Sequence, residues 1–195
     1  MKIVHVCTGR ARAVVINNHK VMTAIGKTVC HGPVVVGALG LEGDEQADLT
    51  VHGGLSKAVY AYPSEHLPFW QTVRGQAQVA LWGGVLAPGL LGENLLLQGV
   101  REHELWLGDR LHLPGCVLVV SEPRMPCFKF NAAMGFAAAA KLMTQSGFCG
   151  VYLAVLQPGT LQAGQAFRLE PGPREVNLRE LFRARLGRGP GSAST

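Results

Sequence analysis

The residues best suited to chemistry lie in Ser121-Glu122-Pro123-Arg124-Met125-Pro126-Cys127-Phe128-Lys129-Phe130. Cys127 directly follows a proline, with one cation three residues before it and another two residues after. Arg124 and Lys129 favour a thiolate at that position, the form that attacks electrophiles or binds soft metals. The run before it, residues 116–120, is apolar and rich in valine, the pattern of a buried strand. Pro123 and Pro126 cannot continue a strand, so the chain is expected to leave the sheet and hold Cys127 on a stiff loop. Cys127 is therefore the leading candidate for chemistry. Local sequence leaves open the alternative of a half-buried structural cysteine.

A second dense segment is residues 40–54, Gly-Leu-Glu-Gly-Asp-Glu-Gln-Ala-Asp-Leu-Thr-Val-His-Gly-Gly. Acids, one histidine and four glycines with little apolar content make it a surface turn or a site rather than a core element. The Gly53-Gly54 pair lets backbone N–H groups approach an anionic ligand, helped by Lys57. The spacing matches no P-loop, EF-hand or dinucleotide fingerprint. Third, Glu93-Asn94 enters an apolar run and places two strong hydrogen-bonding groups near buried surface, where they need partners. Loop-tying is their simplest role. The histidines at 5, 19, 31, 66, 103 and 112 are scattered without H-x-x-x-H spacing and read as surface or satisfied side chains. Trp70, Trp82 and Trp106 read as core or pocket walls.

The elements that must position these residues sit in a chain of 195 residues, long enough to bury one core. Nearly half its residues are apolar, which excludes a disordered protein. Five cysteines, odd in number and without a C-x-x-C pair, argue against a disulfide framework or zinc ribbon and fit a reducing compartment. The N-terminus lacks a signal-peptide pattern, and no apolar run approaches a membrane span; the expectation is a soluble, cytoplasmic protein without a membrane partner. Net charge is +5, but six arginines against three glutamates from residue 168 onward supply +3 of it. A charge carried by the tail is weak support for nucleic-acid binding, which is not expected.

Short β-branched runs at 2–7, 13–16, 21–25, 34–36 and 60–62, separated by glycine or polar turns, predict a barrel or compact sheet. Residues 64–70 read as a helix start, with Pro68 tolerated only in its first turn. Residues 105–107 and 111–113 read as strands joined by a Gly108-Asp109 turn. The Ala-rich stretch 131–146 predicts one helix capped by Asn131 and ended by Gly147. Residues 151–156 and 166–169 give the last strands, and 175–186 a short basic helix before a flexible tail.

Taken together, residues 40–48, 51–54, Tyr62-Pro63-Ser64-Glu65-His66 with Trp70, Gly92-Glu93-Asn94, Gly108-Asp109 and Pro123–Cys127 resemble the MOSC family. That family is named for the C-terminal domain of molybdenum-cofactor sulfurases. The resemblance is to its small stand-alone bacterial members of the YiiM type and runs in family order over most of residues 1–170. It implies a mainly β fold with a few helices, compact and barrel-like, over residues 1–173, with 174–195 as an appended basic helix and tail. It also implies a bound molybdenum cofactor (molybdopterin), with Cys127 supplying a thiolate to the metal. Arg124, Lys129, Lys57 and the His52-Gly53-Gly54 turn would then hold the cofactor's phosphate, while Asp48, Glu93 and Asn94 bond pterin nitrogens or orient those cations. The implied reaction is two-electron reduction of N-hydroxylated purine bases or hydroxylamines to amines, with His52 the matched proton donor. No flavin or nicotinamide fingerprint is present, so electrons would come from a separate reductase. Longer bacterial members continue into a helical extension where this chain has Arg-rich and Gly/Ser/Pro residues. Alternatives are a sulfur carrier with a persulfide on Cys127 and a non-catalytic cofactor-binding module.

Overall fold

The computed structural model describes residues 1–47 and 53–187. In chain order the strands are β1 (Lys2–Thr8), β2 (Arg12–Ile16), β3 (His19–Thr23), β4 (Thr28–Val29), β5 (Val34–Gly37), β6 (Gly40–Leu41) and β7 (Val59–Pro63). Helix α1 (Leu67–Gln76) separates β7 from β8 (Leu95–Gln98), followed by β9 (Arg110–His112) and β10 (Val117–Pro123). Helices α2 (Phe128–Met134) and α3 (Ala139–Ser146) precede β11 (Val151–Gln157), β12 (Gly159–Leu161), β13 (Arg168–Glu170) and α4 (Leu178–Gly187).

Eight strands form one sheet in the order β13-β9-β10-β11-β7-β8-β1-β4, antiparallel except for β7 and β8, which run parallel across the α1 crossover. A three-stranded sheet, β12-β5-β6, and the β2–β3 hairpin stand apart from it. The strands bury alternate residues on two faces. Val59, Ala61, Leu95, Leu97, Val151 and Leu153 enter one apolar cluster. Tyr60, Tyr62, Leu96 and Tyr152, their neighbours in sequence, enter a second cluster with Trp70, Phe130, Met143 and Phe182 from the four helices. The architecture is thus mixed α+β with both sheet faces covered. Among the described residues no helix is long and apolar enough to cross a membrane.

The barrel expected from sequence is corrected to a large sheet that does not close. Beside the short edge strand β4, the start of β1 meets the segment before β13 through one bridge, Lys2–Ala166, and a few backbone bonds such as Ile3 N–H to Gln165 O at 2.9 Å. The helix expected over 131–146 is two helices. Gly135 takes a left-handed conformation at φ 83° and ends α2. Asn131 then caps the next helix rather than its own, its Oδ1 accepting the Ala140 N–H at 2.7 Å. Residues 105–107 are not a strand: a 3-10 turn over Glu102–Glu104 leads to a single bridge between Trp106 and Asn177. Pro68 sits in the first turn of α1, where it costs no hydrogen bond. Asn177 caps α4, accepting the N–H groups of Arg179 and Glu180 at 3.0 and 3.3 Å. Leu178 and Phe182 of that helix are fully buried.

Candidate functional site

β10 delivers the cysteine segment. Val117–Val119 pair with both β9 and β11 and Val120 still exchanges backbone bonds with Gly108 and Asp109, but beyond it the strand keeps β11 alone as its paired neighbour. Pro123 is therefore accommodated as the last strand residue, opposite Val151, rather than ending the strand before it. A register shift between Val120 and Glu122 leaves Ser121 as the extra residue of a bulge. The Ser121 hydroxyl bonds the carbonyls of Ser56 and, at 2.8 Å, Tyr152. Glu122 meets the Ser56 hydroxyl at 3.2 Å, Lys57 Nζ at 3.9 Å and Arg185 of α4 at 2.8 Å. The bulge thereby fixes the 3-10 turn Leu55–Lys57 against the sheet end.

These elements line an open cleft. Its described wall brings together Cys127, Arg124, Lys129, Lys57 and Asn94 of the residues expected from sequence, and adds Lys27, Asp44, Tyr60 and Tyr152. Cys127 is half-buried and immediately precedes α2, its carbonyl accepting the Phe130 N–H at 3.0 Å. Among the described residues no three His, Cys, Asp or Glu side chains converge as a metal cage. Cys127 would serve as a lone protein donor beside ligands of another origin.

Arg124 is 4% exposed, yet no carboxylate pairs with it among the described residues. Its guanidinium lies over the rings of Tyr60 (5.0 Å) and Phe130 (4.9 Å) and reaches Met143 Sδ at 3.8 Å. Burial works against its charge, but Tyr60, Tyr152 and Cys127 outweigh this and push its pKa above the ordinary arginine value. The Tyr60 hydroxyl donates to Cys149 O at 2.8 Å, leaving its lone pairs for the guanidinium. Lys57 adds a second cation, poised 6.0 Å over the Tyr152 ring.

Opposite stands a buried ion pair that sequence reasoning missed. Lys27 Nζ reaches both Asp44 oxygens at 2.6 and 2.5 Å, and Asp44 also accepts the Gly9 N–H at 2.9 Å. Burial lowers the Lys27 pKa and Asp44 counters that shift. The only sequence sign was the acid-rich stretch containing Asp44; nothing local links it to Lys27, 17 residues away. Asn94 is largely spent on backbone, its Oδ1 accepting Tyr60 N–H at 3.0 Å and its Nδ2 donating to Cys7 O at 3.2 Å. Gly54 has φ 90° and gives its N–H to Gln46 Oε1 at 2.8 Å, so the Gly53-Gly54 turn is tied to the loop before it and does not appear in the described wall. Asp48 and His52 lie outside the described residues.

Glu93 sits behind the wall at 2% exposure. Burial pushes its carboxyl up to about 7, against the Gly89 N–H and Lys27, which pull it down. In the unfolded chain it titrates near 4.5. The fold therefore binds an extra proton between those values. The stability Glu93 contributes is complete below about 4.5 and is lost as pH rises through about 7, a change of about 3 kcal/mol at most. Urea midpoints measured across that range should fall with pH in the wild type and flatten in Glu93→Gln.

On a mixed sheet, the described residues thus gather a buried cation, a half-buried thiol, further lysines and two tyrosines around one cleft. Residues 48–168 match the MOSC domain, and the chain belongs to that family. It is 35% identical over 159 residues to Protein YiiM of Escherichia coli (strain K12), covering 81% of this chain and 68% of that one. It is 33% identical over 171 residues to a protein of Gibberella moniliformis (strain M3125 / FGSC 7600) named "Reductase", 85% of this chain but 29% of that protein. The fold superposes on YiiM from Geobacillus stearothermophilus with a TM-score of 0.73 at 29% identity, over 94% and 83% of the two chains.

Proposed function

We propose that the cleft holds a molybdenum cofactor with Cys127 as the metal's protein ligand, and that the protein is an oxidoreductase reducing N-hydroxylated compounds to amines. The observation that carries this reading is Arg124: a buried cation facing the cleft beside the thiol, with no carboxylate of its own among the described residues. Unpaired buried charge is costly unless something compensates it. An anionic ligand in the cleft supplies that compensation. A thiolate suits a thiophilic metal, and a single protein sulfur fits a metal whose other ligands come from an organic cofactor. Arg124, Lys57 and Lys129 would bind the cofactor's phosphate, and Tyr60 and Tyr152 would flank its ring system. The reductase name of the Gibberella relative supports redox chemistry.

When bound, the cofactor supplies two-electron redox chemistry. The overall reaction is R–NH–OH + 2 e⁻ + 2 H⁺ → R–NH₂ + H₂O: the N–O bond breaks, the oxygen leaves as water, and nitrogen keeps its new proton. The protein's part is to bind the anion, exclude water with the Tyr60 and Tyr152 walls, and deliver protons. His52 is proposed as one donor. A separate electron-donating reductase is the proposed redox partner. The sulfur-carrier alternative would use the same thiol but gives a buried, carboxylate-free Arg124 no task.

Turnover tests this reading. Protein from a cofactor-competent host, supplied with electrons, should convert an N-hydroxylated purine to the amine, and Cys127→Ala should fall to background. Equal conversion by wild type and Cys127→Ala would remove the cysteine from the mechanism.

A further inference from the structure

Helix α4 reads in the sequence as an appended basic helix, yet it is seated on the rest of the fold. Leu178 and Phe182 are fully buried, and Asn177 caps its start. That docking brings Arg185, in its last turn, to Glu122 of β10, with Nη1 2.8 Å from Oε2. Glu122 Oε1 accepts the Ser56 hydroxyl at 3.2 Å, and Lys57 Nζ stands 3.9 Å from the same Oε2 that Arg185 holds. The Arg185 distance is that of a charge-assisted hydrogen bond; the Lys57 distance is beyond one. Lys57 lines the cleft, whereas Arg185 and Glu122 are not part of its described wall.

We propose that Arg185 is a positioning residue for Lys57: by holding Glu122, it keeps that carboxylate from drawing Lys57 off the cleft and cancelling its charge. The Glu122 side chain is only 15% exposed, so its carboxylate needs a cation close by. Arg185 offers a planar fork on a packed helix. Lys57 is the neighbouring alternative, and its flexible stem needs a movement of only about 1 Å to reach hydrogen-bond distance. Two cations and one carboxylate leave one positive charge at this wall; without Arg185 the remaining pair is neutral. Arg185 touches no ligand and acts through Glu122. The inference rests on the cofactor reading for the identity of the anion that Lys57 meets, but not for the geometry of the three side chains.

Calorimetric titration of the cofactor-free full chain with inorganic pyrophosphate tests this. Arg185→Met should raise the Kd by roughly 3- to 10-fold, the value of one partly exposed cation. Arg185→Lys should keep most of the wild-type affinity. Adding Glu122→Gln to Arg185→Met should bring the affinity back, because a neutral amide no longer captures Lys57. An arginine that merely anchored α4 would behave otherwise, since removing its partner as well would repair nothing. A crystal structure of Arg185→Met should show Lys57 Nζ within hydrogen-bond distance of Glu122. Unchanged affinity in Arg185→Met, or a loss that the double variant does not reverse, overturns the proposal and leaves the cofactor reading standing. A wild type that binds no pyrophosphate overturns the anion-binding role of the cleft, and the proposal falls with it.

Discussion

Arg124→Met should weaken retention of an anionic cofactor by roughly 10- to 100-fold, the value of one or two charge-assisted hydrogen bonds of about 1.5–3 kcal/mol. The same substitution should leave the folded protein as stable as the wild type to within about 1 kcal/mol. The reasoning is an asymmetry of burial. Arg124 is held by ring faces and hydroxyls, with no carboxylate among the described residues to orphan when the charge is removed. Methionine fills the channel between Tyr60 and Phe130 and leaves no unsatisfied ion. A purely structural arginine would behave in the opposite way: its loss would lower the urea midpoint strongly and leave cofactor content per folded molecule unchanged. Measuring both quantities on one preparation separates the two roles.

Trp70→Ala should destabilise the fold by about 3–5 kcal/mol, a drop in Tm on the order of 10 °C. Trp70 is fully buried between the sheet and the helices. Its ring packs edge-on against Phe130 at 5.4 Å and Phe69 at 5.0 Å, and its Nε1 donates to the Tyr62 hydroxyl at 2.5 Å. Truncation opens a cavity and removes that hydrogen bond together. Phe130 is also the ring beneath Arg124, so the damage should reach the cleft and lower cofactor retention. A loss below about 1 kcal/mol by thermal unfolding would mean that the helical layer does not pack as described.

Much of the cysteine arm was legible from residues alone because its causes are local. A valine run makes β10, and prolines with a cation on each side of Cys127 mark where it leaves the sheet. The strand was read over 116–120 but runs on through Pro123, because the sequence cannot show that β9 has ended and left that position one-sided. Alanine content correctly announced helix near 131–146, but not that Gly135 takes a left-handed conformation and divides the stretch into two helices. The open sheet was read as a barrel because strand length and spacing do not encode whether the edges meet. The cleft's second half was invisible for the same reason. Lys27 and Asp44 become a site only through loops brought together by β1 and β4, and Tyr60 and Tyr152 face the cleft only through strand register. The buried His66–Glu102 pair at 2.7 Å, with Glu102 also accepting Gly150 N–H at 2.8 Å, anchors the segment entering β11 and likewise has no local signature.

Under the proposed function, Cys127 ligates molybdenum in this cleft. Metal analysis by inductively coupled plasma mass spectrometry, on wild type and Cys127→Ala from a molybdenum-replete, cofactor-competent host, tests it most directly. Stoichiometric molybdenum in the wild type and none in the variant is the predicted result. A wild type without molybdenum, or a variant that retains it in full, would contradict the assignment.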